Sequence, residues 1–116
     1  MSKLTIYQKP SCTTCRTVYH VLKESGVDFD AVDYYVTPIP KQKLQELLRK
    51  MGIPASELLR ANEPIYKELQ LGEKVLTDDQ VIDLMVKYPD LIQRPIVEKG
   101  SKAILARPAE RIKEIL

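Results

Sequence analysis

The sequence predicts an α/β protein built on a four-stranded mixed sheet, and three observations carry that prediction. A short apolar run, a helix-like segment and a second run rich in β-branched residues follow one another within the first third of the chain. Helical stripes fill the middle, and two more β-branched runs come near the end. With 116 residues and 44% hydrophobic content, we expect one domain, residues 1–116, with a helical insertion at about 40–90.

The first three predicted elements form a strand–helix–strand unit. Residues 3–7 alternate as a short buried strand, and Val27–Tyr35 has the composition of a second strand. Between them, Thr13–Ser25 is predicted to be a helix that stops at Gly26, because glycine readily takes the left-handed conformation. The apolar side chains of this helix share one face: Val18, Val21 and Leu22. Two strands joined by a helix of this length form a right-handed parallel βαβ unit.

The middle of the chain is predicted to be helical. One helix begins after Pro40 and ends at Gly52, and its buried stripe is Leu44, Leu47, Leu48 and Met51. A capping box at Thr77 begins another, which Pro89 halts. The buried residues of that second helix are Val81, Ile82, Leu84, Met85 and Tyr88. Two short helices are expected between them, at Ala55–Arg60 and Ile65–Leu71.

The C-terminal segment is predicted to be a β-hairpin followed by a helix. Ile96–Lys99 and Lys102–Leu105 are the strands, and Gly100-Ser101 suits a two-residue type II′ turn. Arg107-Pro108 then opens a last helix, whose inward-facing residues are Ile112, Ile115 and Leu116. The order of βαβ unit, helical insertion, β-hairpin and C-terminal helix is the thioredoxin-like arrangement.

Cys12 and Cys15 form a Cys-x-x-Cys motif at the junction of the first strand and the first helix. The N–H groups and the macrodipole at a helix N-terminus favour thiolate over thiol, so Cys12 is the expected reactive group. Cys15 lies about one helical turn further on, within reach of a sulfur bonded to Cys12. Because the N-terminus lacks an export signal, we expect a cytoplasmic protein, in which such a pair is redox-active rather than structural.

Composition also narrows the set of partners. A net charge of +2 gives no reason to expect direct binding to nucleic acid. No apolar run approaches the ~18 residues that a membrane-spanning helix needs. A zinc site usually takes four ligands, and His20 with two cysteines does not supply a usual set, so no metal is expected.

Further stretches of sequence accompany the cysteine motif. They are Leu4-Thr5-Ile6-Tyr7 with Pro10-Ser11-Cys12, Leu58-Leu59-Arg60-Ala61-Asn62, Thr77-Asp78-Asp79-Gln80, Ile92-Gln93-Arg94-Pro95-Ile96-Val97 and Ala106-Arg107-Pro108. Through them the chain resembles, from end to end, the glutaredoxin-coupled bacterial arsenate reductase family (the ArsC type) and its relatives, which include the Spx-type redox regulators.

The resemblance implies an arsenate reductase-like thiol oxidoreductase. In that family the cysteine matching Cys12 attacks arsenate, and the arginines matching Arg60, Arg94 and Arg107 bind the oxyanion. Guanidinium groups suit this role because they stay charged and present planar, bidentate donors. The resemblance also implies no tightly bound cofactor, with glutathione, a thioredoxin or a glutaredoxin as the electron donor.

Two positions depart from the well-known arsenate reductases. Gln8 stands where they carry a histidine, and Cys15 stands where they carry a serine. Cys15 either resolves the reaction in place of glutathione, leaving a Cys12–Cys15 disulfide for thioredoxin or glutaredoxin, or belongs to a redox switch of the Spx type. Two residues have supporting roles. Arg16 either supports the Cys12 thiolate or simply solvates its helix, and Pro95 is expected to form the cis peptide bond that thioredoxin-like folds place opposite the redox cysteine.

Three functions follow, in this order. The first is the enzyme, which the three arginines favour. The second is an Spx-type regulator whose disulfide switches its contact with RNA polymerase, and the third is a general thiol–disulfide oxidoreductase acting on glutathione or protein disulfides.

Overall fold

The structure is a computed structural model that describes residues 3–116. Its contacts group into two compact units: the chain up to Thr37 together with Arg94–Leu116, and Pro38–Gln93. The first unit carries the sheet, and the second is helical apart from one isolated β-bridge. That residues 1–116 behave as one domain with an insertion stays a prediction.

The first unit contains a four-stranded mixed sheet, as predicted. Its strands are β1 (Leu4–Gln8), β2 (Phe29–Asp33), β3 (Ile96–Lys99) and β4 (Lys102–Leu105), in the order β2-β1-β3-β4. β1 and β2 are parallel, whereas β3 runs antiparallel to both β1 and β4. β2 is shorter than the predicted Val27–Tyr35. As an edge strand it pairs only with β1, and that ladder stops at Gln8 and Asp33, where β1 itself ends.

Local sequence explains the turn of the hairpin and the end of the first helix. Gly100, the first of the two residues between β3 and β4, has a φ of 60°, the positive value that this position of a type II′ turn requires. Helix α1 (Thr13–Ser25) has the predicted bounds. It ends at Gly26, whose φ is 74° and whose N–H donates to the carbonyl of Lys23.

One face of the sheet packs against α1 and a C-terminal 3₁₀ helix, Ala109–Glu114. The buried cluster consists of Leu4, Ile6, Val18, Leu22, Val97, Ile104, Ala106, Ile112 and Ile115. The prediction that Leu116 faces inward is wrong, since this residue is 45% exposed. In a 3₁₀ helix residues three apart eclipse each other, so Ile112 and Ile115 share the buried side while the next residue points elsewhere.

The second unit contains four α-helices: α2 (Lys41–Met51), α3 (Ala55–Leu58), α4 (Pro64–Glu68) and α5 (Asp78–Lys87). Both α2 and α3 pack against α5. The capping box at Thr77 is confirmed, with both of its hydrogen bonds formed. The prediction of a helix at Ile65–Leu71 is met by α4 and a separate 3₁₀ turn, Leu71–Glu73.

Helix α3 stops earlier than the predicted Arg60 because the chain becomes extended. Leu59 forms a β-bridge with Ile92, and the N–H of Arg60 donates to the carbonyl of Leu91 at 2.7 Å. These bonds replace the helical bonds that the predicted last turn would have made.

Across residues 3–116, no helix is long and apolar enough to cross a membrane. The same residues contain no group of three or more His, Cys, Asp or Glu side chains arranged to hold a metal ion.

Candidate active site

Four segments of the first unit reach the same edge of the sheet. Cys12 follows β1 and Tyr34 follows β2, and parallel strands end at the same edge. β3 is antiparallel to β1, so Arg94, which lies just before β3, is at that edge as well. β4 reverses direction again, which brings Arg107 there. The topology alone therefore gathers a thiol, a phenol and two guanidinium groups.

Cys12 is the N-cap of α1 and is partly exposed. The backbone N–H of Cys15 donates to its sulfur at 3.5 Å, and the loop before it is closed by a bond from the Cys12 N–H to the carbonyl of Lys9. Partial burial opposes ionisation of Cys12. Hydrogen bonds from the Cys15 backbone and thiol, and then the Arg94 guanidinium, outweigh burial and hold the Cys12 pKa below its ordinary value. Cys12 is therefore the activated thiol.

Cys15 has the opposite character. It is fully buried, and burial raises the pKa of its thiol to about 12, although a hydrogen bond from the Lys9 backbone acts in the other direction. The negative charge of Cys12 raises it further. Both cysteines are present as free thiols. The pair thus combines a reactive, accessible sulfur with a protonated, protected one beside it.

Arg94 is the buried cation of the site, with only 4% of its surface exposed. Burial disfavours its charge, yet its pKa stays above the ordinary value because Tyr34, Tyr35 and Cys12 surround the guanidinium. The peptide bond between Arg94 and Pro95 is cis, as predicted. A charged group held in so little water acts on its neighbours with little screening.

Arg107 is half-buried and is fixed to the same segment. Its Nη1 donates to the backbone carbonyl of Arg94 at 3.1 Å, which holds its guanidinium beside the chain that carries Arg94. Arg16, in contrast, is exposed on α1.

Arg60 belongs to the second unit. Its Nε donates to Oε1 of Glu63 at 2.7 Å, and the two side chains are 17% and 18% exposed. The backbone bond to Leu91 fixes the main chain at the same residue. Glu63 therefore engages the Nε edge of the guanidinium.

Comparison with known proteins decides the family. The model of the ArsC family matches residues 7–115. This chain belongs to the ArsC family. It is 41% identical to an arsenate reductase of Escherichia coli K12 over 116 residues, which are all of this chain and 82% of that protein. It is 40% identical over 112 residues to the uncharacterised protein YfgD of the same strain, covering 96% of this chain and 94% of YfgD.

Solved structures of ArsC-type proteins agree. The arsenate reductase of Vibrio cholerae superposes with a TM-score of 0.93 at 33% identity, over 99% of this chain and 98% of that one. The predicted family and the thioredoxin-like α/β fold are thereby confirmed.

Sequence analysis missed one residue of this ArsC-family site. Tyr34 was included in the predicted second strand, but it lies just beyond β2 and is 1% exposed. Its hydroxyl hydrogen-bonds with Arg94 and lies near both cysteines. The available signal was its position, because a residue that ends a strand parallel to β1 must lie near the cysteine loop.

The buried pair in the second unit has a matched exposed pair in the first, which gives a stability test. Arg60–Glu63 and Arg111–Glu114 both join Nε to a carboxylate three residues on, but the second pair is 41% and 53% exposed. We expect Glu63→Gln to lower the free energy of unfolding by about 1 kcal/mol, and Glu114→Gln by less than about 0.5 kcal/mol. Urea unfolding followed by circular dichroism measures both, and equal losses would contradict the distinction.

Proposed function

We propose that this protein is an arsenate reductase that works in the cytoplasm, with Cys12 as its nucleophile. The observation that carries the proposal is the partly exposed Cys12 sulfur, whose pKa is lowered through contacts that include the buried Arg94 guanidinium. A thiolate beside a fixed cation suits attack on a tetrahedral oxyanion. The full-length similarity to arsenate reductases supports arsenate as that oxyanion.

Three arginines are proposed to hold the arsenate: Arg94, Arg107 and Arg60. For the first two, their common position at the edge of the sheet that carries Cys12 supports the role. For Arg60 the support is the family resemblance, together with the Glu63 bond that holds its Nε edge. Arg16 and Pro95 are proposed as supporting residues, Arg16 through its charge near the start of α1 and Pro95 through the backbone beside Arg94.

The reaction proceeds in two thiol steps. The Cys12 thiolate attacks arsenic, an As–S bond forms, and one oxygen leaves as water after taking up protons. A second thiol then attacks the Cys12 sulfur, so that a disulfide forms, the As–S bond breaks and its electron pair reduces arsenic(V) to arsenite. The guanidinium groups stabilise the negative charge that develops on the leaving oxygen.

Cys15 is proposed as the second thiol, with glutathione as the alternative. Its thiol hydrogen-bonds to the Cys12 sulfur, which supports direct attack once that sulfur is bonded to arsenic. The product is a Cys12–Cys15 disulfide, and a thioredoxin or a glutaredoxin returns it to the dithiol. If glutathione resolves instead, the product is a mixed disulfide on Cys12, which is a substrate for glutaredoxin.

A coupled assay tests the function. We expect arsenate-dependent oxidation of NADPH when the protein is combined with a thioredoxin and its reductase, or with glutathione, glutaredoxin and glutathione reductase. Comparison of the two systems identifies the electron donor. Absence of arsenate-dependent turnover with both systems would contradict the proposal, and turnover of a mixed disulfide without arsenate would instead indicate a general thiol–disulfide oxidoreductase.

A further inference from the structure

Tyr34 is held rigidly at the catalytic edge of the sheet. Its N–H donates to the carbonyl of Gln8 at 3.4 Å, which ties it to the last residue of β1 just before the cysteine loop. Its ring stacks on that of Tyr35, with centroids 5.1 Å apart and planes inclined by 29°. With 1% of its surface exposed, the phenol has little freedom to move.

The Tyr34 hydroxyl and the Arg94 guanidinium are buried together. A buried polar group is costly unless it is hydrogen-bonded, and these two groups bond to each other. Burial also raises the pKa of Tyr34 above its ordinary value, although the Arg94 charge opposes that shift. Tyr34 therefore stays a neutral phenol, whose oxygen accepts from the guanidinium without neutralising its charge.

The opposite side of the same guanidinium acts on Cys12. Arg94 hydrogen-bonds to the Cys12 sulfur and lowers its pKa. An arginine side chain has several rotatable bonds, so its terminal atoms hold one place only when a second contact restrains them. At this edge of the sheet, the buried phenol supplies such a contact.

We propose that Tyr34 is a positioning residue, whose hydroxyl fixes the Arg94 guanidinium against the Cys12 sulfur and in the orientation that receives the oxyanion. Its effect on Cys12 is independent of the substrate, whereas its effect on arsenate binding rests on the proposed function. Tyr34 exerts both effects through Arg94 and has no contact of its own with arsenate in this proposal.

Tyr34→Phe removes one oxygen and keeps the ring, and Tyr19→Phe in α1 is the matched control. We expect the midpoint of the Cys12 thiolate titration, followed at 240 nm from about pH 4 to about pH 9 without arsenate, to move to higher pH in Tyr34→Phe only. Cys15 stays protonated over that range. We expect the KM for arsenate to rise about three- to tenfold in Tyr34→Phe, with a smaller change in kcat.

A double-mutant cycle separates positioning from a general structural effect. In an Arg94→Ala background, Tyr34→Phe should no longer move the Cys12 titration. An unchanged titration in Tyr34→Phe, or an equal shift in the Arg94→Ala background, would overturn the proposal. If the wild-type protein does not reduce arsenate, the titration still decides the role of Tyr34, so the two failures are distinguishable.

A further measurement does not need Tyr34→Phe to fold. In protein labelled with ¹³Cζ-tyrosine, the Tyr34 resonance should shift in Arg94→Lys, whereas that of Tyr19 should not. A Tyr34 resonance that ignores this substitution would show that its hydroxyl does not engage Arg94.

Discussion

Cys12→Ser should abolish arsenate-dependent NADPH oxidation, with a loss of at least about 10³-fold in kcat. A serine hydroxyl at this position stays protonated at neutral pH, so the hydrogen bonds and the Arg94 charge that lower the Cys12 pKa have no anion to stabilise. The fold should survive, because Cys12 is partly exposed and serine is a good N-cap. Circular dichroism and thermal unfolding check the fold alongside the coupled assay.

Cys15→Ser is the companion variant and should behave differently. It keeps the nucleophile but removes the proposed resolving thiol, so Cys12 should accumulate in a trapped adduct or the enzyme should come to depend on glutathione. Mass spectrometry of the quenched reaction distinguishes these outcomes. Full turnover by Cys12→Ser would contradict the mechanism, whereas full thioredoxin-linked turnover by Cys15→Ser would exclude only Cys15 as the resolving thiol.

Arg94→Ala should lower kcat/KM for arsenate by about 10²-fold. One part of the loss is the anion contact, for which about tenfold is a modest estimate for a charge-assisted hydrogen bond. The other part is the thiolate, since the Cys12 pKa rises when the neighbouring cation is removed and less thiolate is present at neutral pH. A pH profile of kcat/KM in wild type and variant measures both parts.

The direction of that pH profile follows from the chemistry. Thiolate is the reactive form, so activity rises with pH through the Cys12 pKa and then levels off. Because that pKa lies below its ordinary value, the wild-type enzyme reaches its plateau at lower pH than Arg94→Ala. Arg94→Lys keeps the charge without the planar fork, so it should keep part of the pH profile while losing affinity for arsenate. A profile that does not move in Arg94→Ala would contradict the role of Arg94 toward Cys12.

Features set by neighbouring residues could be predicted from the sequence. The bounds of α1 follow from the cysteine loop and Gly26, and the hairpin follows from Gly100, because each depends on a few residues in a row. The Cys-x-x-Cys motif could be assigned to a strand–helix junction for the same reason.

Features set by distant residues could not. Tyr34 leaves the sheet because β1 supplies no further partner, and α3 stops because Leu59 pairs with Ile92, 33 positions further on. The terminal helix winds as 3₁₀ and exposes Leu116, a choice that packing on the sheet decides rather than helical periodicity. Tertiary pairing overrode local preference at each of these places.

The pairing of β1 with β3 has a consequence for the growing chain. Leu4 pairs with Lys99, so this strand contact forms only after most of the chain has been synthesised. At about 5–20 residues per second, a ribosome exposes Cys12 several seconds before Arg94 emerges. Until then the thiol lacks the cation that activates it and reacts as an ordinary cysteine. Nascent and prematurely terminated chains are therefore less open to oxidation at Cys12 than the finished protein.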